Sequence, residues 1–228
     1  MSISLGNGNP LATAAGLFIA IMISDPFSGG HLNPSVSLTV YLVEGRFREN
    51  WKVLIAFWVA QLAGGFTGLA IAYSWAGDSM GLLIPTLNPD NSYISNFLWL
   101  LYIEFVLTLF LMISIQYVKN MGPTGDGVLG PLTVALTIFT LGNDGGPFSG
   151  GSMNPAVSTC LISFQAFIAT SDEVTYMNYL VAYVLGELLA SCAAAAYVRL
   201  VVFPARNLKE RQRFQAEQML INNTAMSQ

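Results

Sequence analysis

An eleven-residue segment occurs twice in this 228-residue chain, 121 positions apart. Phe27-Ser28-Gly29-Gly30-His31-Leu32-Asn33-Pro34-Ser35-Val36-Ser37 aligns with Phe148-Ser149-Gly150-Gly151-Ser152-Met153-Asn154-Pro155-Ala156-Val157-Ser158, and eight of the eleven positions are identical. A shift of 122 continues the match, pairing Val59-Ala60 with Val181-Ala182 and Gly64 with Gly186. So long a duplication confines the chain to a fold made of two like halves.

Composition says which solvent those halves meet. The chain is 54% hydrophobic and 10% charged, against roughly a quarter charged in soluble proteins. Its solvent is the lipid bilayer. Apolar runs bounded by charged or turn residues cover 10–24, 53–76, 97–118, 128–141 and 176–198, which predicts five spanning helices. Two shorter runs, 34–43 and 155–164, follow the duplicated Asn-Pro pairs. At ~1.5 Å of rise per residue each reaches about 15 Å, half of a hydrocarbon core, so they are half-helices. Three full spans separate the two copies, which therefore enter the membrane from opposite faces, as in the inverted repeats of channels and transporters.

The predicted fold is thus an all-α membrane protein, an inverted-repeat helical bundle with two re-entrant half-helices. Residues 1–204 form one transmembrane domain, with repeat one at 1–76 and repeat two at 95–204; residues 205–228 are a tail. Shifted back by 121, the run 97–118 finds its counterpart at about −24 to −3, before Met1. The expectation is a six-span protein without its first helix, a natural five-span variant being the alternative.

The nine basic residues fall in three places: Arg46, Arg48 and Lys52; Lys119; and Arg199, Arg206, Lys209, Arg211 and Arg213. The positive-inside rule puts those segments, and the C-terminal tail, in the cytoplasm. The stretches 77–95, 142–149 and 165–175 carry no Lys or Arg and are predicted to lie outside. The first basic residue is Arg46, so the N-terminus lacks the charged flank of a secretory signal. A net charge of −4 excludes a phosphate-tracking nucleic-acid binder. Cys160 and Cys192 sit inside apolar runs and read as small core residues.

Each motif has a physical reading. Pro at the first helical position loses no hydrogen bond, and Asn at the N-cap holds the helix start. Gly-Gly admits an irregular backbone, which at membrane depth must be buried in protein or line a water-filled cavity. Two half-helices entering from opposite faces bring both positive ends together beside the amides of Asn33 and Asn154, a point that repels cations.

The residues Ser28-Gly29-Gly30-His31-Leu32-Asn33-Pro34-Ser35 and Ser149-Gly150-Gly151-Ser152-Met153-Asn154-Pro155-Ala156 resemble the paired Asn-Pro-Ala boxes of the aquaporin (major intrinsic protein) family. Trp58-Val59-Ala60-Gln61 and Ile103-Glu104-Phe105 resemble further family positions. The resemblance implies six helices and two half-helices, a homotetramer with one pore per subunit, and passage of water and small uncharged solutes. It makes Asn33, Pro34, Ser35, Asn154, Pro155 and Ala156 the pore motifs. It also implies that Glu104 faces inward and accepts from backbone amides of 145–153.

Four positions counted from the motifs correspond to the family's selectivity constriction: Thr13, Gly142, Gly151 and Val157. Water-selective members often hold an aromatic, a His, a small residue and an Arg there. This set is wider and nearly free of donors, which points to glycerol or urea beside water. Many glycerol channels place an Asp after that Arg, yet Ser158 stands there. The first box ends in Ser35 rather than Ala. Glu187 stands where the family often has Pro, and no role for it is legible.

His31, the chain's one histidine, reads as a packed support residue of the inner vestibule rather than a pH gate. Asp25 and Asp144 read as solvated rim residues, and the small residues Gly64, Gly68, Gly186, Ala190 and Ala194 as contact points between spans. No nucleophile with its base, metal cluster or phosphate loop is recognisable, so no enzyme, cofactor or metal is expected. The reading is a passive channel in a lipid bilayer. A non-conducting assembly or adhesion protein of the same fold is the first alternative, and a secondary transporter the second.

Overall fold

Both copies of the motif start a helix with the same two residues. A computed structural model describes residues 9–77, 85, 87–121, 127–168 and 174–226. In chain order these form α1 (Pro10–Ser28), α2 (Pro34–Glu44), α3 (Phe47–Ala76), α4 (Tyr93–Met121), α5 (Leu129–Ser149) and α6 (Pro155–Ile168). A 3₁₀ turn (Val174–Tyr179), α7 (Leu180–Tyr197), a π turn (Val198–Val202) and α8 (Phe203–Met226) follow. Pro34 and Pro155 are first residues of α2 and α6, and Asn9-Pro10 opens α1 in the same way, Asn9 Oδ1 accepting from Leu11 N at 2.9 Å. The fold is the all-α inverted-repeat bundle, with α1–α2–α3 in one half and α5–α6–α7 in the other.

The two half-helices are 11 and 14 residues long, so neither crosses a ~30 Å core. Each packs against the third helix of the opposite repeat, α2 on α7 and α6 on α3. This exchange holds the halves together. Three clusters of buried side chains lie along it: one around Leu69, Leu100, Cys160 and Tyr183, one around Val36, Leu111, Met112 and Met153, and a small one at Val43, Ala195 and Val198. The Ser and Thr hydroxyls of α2 are buried but satisfied, Thr39 Oγ1 donating to Ser35 O at 2.8 Å, Ser35 Oγ to Glu187 O at 3.1 Å and Ser37 Oγ to Asn33 O at 3.2 Å.

Several expectations need correction. Helices α1, α3, α4 and the run 176–219 are long and apolar enough to cross a membrane. The predicted span 128–141 covers the N-cap Val128 and the first part of α5, which has 21 residues but is diluted by Gly142, Asn143, Asp144, Gly145 and Gly146. That Gly-rich stretch, read as an outer loop, is instead the helical end of α5. Two of its three glycines are contact surfaces: an added Cβ at Gly145 would overlap the side chain of Leu107 on α4, and one at Gly142 would lie 3.3 Å from Pro10 Cβ on α1, whereas one at Gly146 would meet nothing within 4 Å. The outer stretches 77–95 and 165–175 fall partly outside the described residues.

Gly186 and Gly64, equivalent in the repeat, differ. A Cβ on Gly186 would sit 2.6 Å from Leu101 O on α4, whereas one on Gly64 would meet nothing within 4 Å. So α7 uses its glycine to approach another helix, and α3 presents Gly64 exposed. Cys160 is buried as expected, but Cys192 is exposed on α7. The tail is helical over α8 and continues α7 through the π turn, with Arg206 paired to Glu210 at 2.8 Å.

Candidate functional site

The motif backbone turns through left-handed conformations in both copies. Gly29 and Gly30 have φ of 74° and 59°, Gly150 and Gly151 85° and 63°, and Leu32 and Met153 48° and 51°. For the two non-glycines this conformation costs about 1–3 kcal/mol each and persists only where neighbours impose it. Here the two Asn side chains do so. Asn33 Oδ1 accepts from Ser35 N at 2.8 Å, and Asn154 Oδ1 from Ala156 N at 3.0 Å, capping α2 and α6. Asn33 Nδ2 donates to Met153 O at 2.8 Å, and Asn154 Nδ2 to Leu32 O at 3.1 Å. The cross-link is reciprocal under the repeat, and it brings the N-termini of the two half-helices face to face. Each Nδ2 carries two N–H groups, and the cross-link uses one.

Two buried carboxyls hold the second segment from behind. Glu104 on α4, fully buried, accepts from Ser152 N at 3.1 Å, Met153 N at 2.9 Å and Ser149 Oγ at 2.7 Å. Glu187 on α7, also fully buried, accepts from Asn154 N at 2.9 Å and Ser158 Oγ at 3.2 Å. Three consecutive backbone N–H groups therefore end on carboxyl oxygens. The Tyr183 hydroxyl donates to Ser149 O. Glu187 is a functional-site residue that the sequence did not announce: like Glu104 it is a lone carboxyl in an apolar run, but the resemblance that gives Glu104 its role offers no counterpart at this position. In the first half, Trp58 Nε1 donates to Pro34 O at 3.2 Å and Gln61 Nε2 to Ser37 Oγ at 3.0 Å. His31 Nδ1 lies 3.2 Å from Ser37 Oγ, and its ring packs at 5.4 Å from that of Phe57.

In front of the two Asn side chains lies a cavity of about 890 Å³. On α1 it is lined from Pro10 to Asp25, about 22 Å of helix rise. Asn33 and Asn154 both line it, and so do Thr13, Gly142, Gly151 and Val157. The four residues counted from the motifs thus share one wall space, Thr13 and Gly142 contributed by the neighbouring helices α1 and α5. The ionisable side chains lining it among the described residues are Asp25, His31 and Lys119. Lys119 also pairs with Glu44 at 3.0 Å. Asp144 is exposed, outside this lining.

A model of the family described as Major intrinsic protein matches residues 6–198. The chain belongs to that family. This major intrinsic protein is 30% identical over 203 residues to Aquaporin-8 of Mus musculus, covering 84% of the chain and 69% of that relative. It is 31% identical over 149 residues to the aquaglyceroporin of Toxoplasma gondii, covering 65% of the chain and 52% of that protein. The X-ray structure of the aquaglyceroporin from Plasmodium falciparum superposes with a TM-score of 0.74 at 22% identity, over 87% of this chain and 84% of that one. That likeness shows the fold. A multi-pass integral membrane protein of a channel family is therefore what the motif geometry serves.

Proposed function

We propose that this major intrinsic protein is a passive channel for water and for small uncharged solutes of the glycerol and urea class. The observation that carries the reading is the elongated cavity passing both Asn side chains. Its central polar contacts would be the second N–H of Asn33 and of Asn154, which can donate to a water or hydroxyl oxygen. Each half-helix N-terminus contributes about half a positive charge, so a cation would meet repulsion without replacement of its hydration shell. Thr13, Gly142, Gly151 and Val157 form the constriction. Two lack side chains and one is aliphatic, which favours a molecule wider than water. Relatives named aquaporins and an aquaglyceroporin support both halves of the reading.

The site residues act in set roles: Asn33-Pro34-Ser35 and Asn154-Pro155-Ala156 as pore motifs, Glu104 and His31 as supports. The channel unit is followed from residue 205 by a cytoplasmic segment, and the assembled form is a homotetramer in the bilayer. Liposomes holding the chain, challenged with glycerol and urea gradients in a stopped-flow light-scattering instrument, test the solute class. Fast re-swelling with both solutes is expected. Re-swelling no faster than in empty liposomes contradicts the wide constriction.

A further inference from the structure

Glu187 has no carboxyl counterpart in the first half: under the shift of 122 its equivalent is Gly65. Two sets of contacts converge on it. Its backbone oxygen accepts from Ser35 Oγ at 3.1 Å, in the first turn of α2. Its side chain accepts from Asn154 N at 2.9 Å and Ser158 Oγ at 3.2 Å, at the start of α6. One residue of α7 therefore touches the beginnings of both half-helices. Asn154 in turn spends its Oδ1 on the first turn of α6 and its Nδ2 on Leu32 O. Among its hydrogen bonds in the described residues, the one to Glu187 reaches a full-length helix.

We infer that Glu187 is a positioning residue of the pore: it fixes Asn154 against α7 and thereby sets the gap between the two Asn side chains that discriminates among uncharged solutes. This rests on the channel reading above. The physics is that of a short acceptor on a rigid element. The exposed N–H groups of a helix start must find an acceptor, and an oxygen fixed on a packed helix holds its donor in place whether or not it is charged. Without the carboxyl, the Ser158 hydroxyl falls back on Asn154 O and Pro155 O, each at 3.3 Å, whereas Asn154 N–H loses its acceptor and must seek another oxygen, moving Asn154 with it. Glu104 does not replace it, because its own oxygens hold Ser149, Ser152 and Met153.

The test compares Glu187→Gln, which keeps a carbonyl acceptor, with Glu187→Leu, which keeps volume only. Both are made in the full chain, matched for protein per liposome. Glu187→Leu is expected to change the glycerol-to-water permeability ratio about fivefold, with Glu187→Gln within about twofold of the unaltered chain. A Leu variant with an unchanged ratio, or a Gln variant no different from Leu, overturns the inference. Should Glu187→Leu fail to accumulate in membranes, Glu187→Asp, one methylene shorter, must shift the ratio the same way, and no shift overturns it. Hydrogen exchange of the 149–158 segment reads the position without flux. Faster exchange in the Leu variant alone is expected, and equal exchange in all three overturns the inference. If the unaltered chain passes neither water nor glycerol, the channel reading falls while exchange still decides what Glu187 holds.

Discussion

Val157 is where one side chain sets the width of the proposed constriction. It lies in the first turn of α6 and lines the cavity with Thr13, Gly142 and Gly151. Val157→Arg would fill that space with a guanidinium and its donors, so glycerol flux is expected to fall about tenfold while water flux persists, as read by light scattering on reconstituted vesicles. Unchanged glycerol flux would place the constriction elsewhere. Glu104 makes the second residue-scale prediction. Glu104→Leu leaves the N–H groups of Ser152 and Met153 and the Ser149 hydroxyl without their acceptor. Each buried orphan costs about 1–3 kcal/mol, so the variant should lose at least ~3 kcal/mol and unfold at lower temperature in detergent. A melting temperature equal to that of the unaltered chain would contradict the role given to Glu104. Its role was legible because a carboxylate inside a span must find donors and the family resemblance pointed to which ones. Glu187 was equally costly to bury, and its donors, Asn154 N and Ser158 Oγ, are no farther along the chain than those of Glu104; what it lacked was a family counterpart, since the resemblance that assigns Glu104 offers Pro at this position.

At the scale of elements, the duplicated glycines separate packing from potential packing. Gly186 lies against the backbone of α4, so Gly186→Ala forces α7 off Leu101 O and should lower stability by about 1–3 kcal/mol. Gly64→Ala meets open space and should be neutral or slightly stabilising, since alanine favours helix by about 1 kcal/mol over glycine. Paired thermal melts in one detergent check both, and equal losses would contradict the contact assignment. The half-helices were legible because Asn-Pro followed by about ten apolar residues is too short to span a core. The end of α5 was not. Gly142 to Pro147 carries every mark of a turn, and only its fit against Leu107 and Pro10, long-range contacts, makes it helix. Likewise an apolar run says that Cys192 is helical, not which face of α7 it occupies; it faces outward.

For the whole molecule, the duplication is the fact from which the rest descends. It places two helix starts face to face, and the reciprocal bonds Asn33 Nδ2 to Met153 O and Asn154 Nδ2 to Leu32 O lock the halves at that point. The sequence carried that symmetry openly, together with the bilayer as solvent; the cross-bonding itself, and the exchange of α2 and α6 between halves, appear only when the chain is folded. The central claim is that the space beside those two amides is a conduit. Osmotic shrinkage of liposomes holding the unaltered chain, set beside liposomes holding the chain with Val157→Trp, tests it most directly, because the substitution plugs the cavity while leaving both Asn cross-bonds in place. The account predicts water permeability well above that of empty liposomes for the unaltered chain and a return towards the empty value for the plugged one. Equal permeability of all three preparations, with folded protein verified in the vesicles, would contradict it.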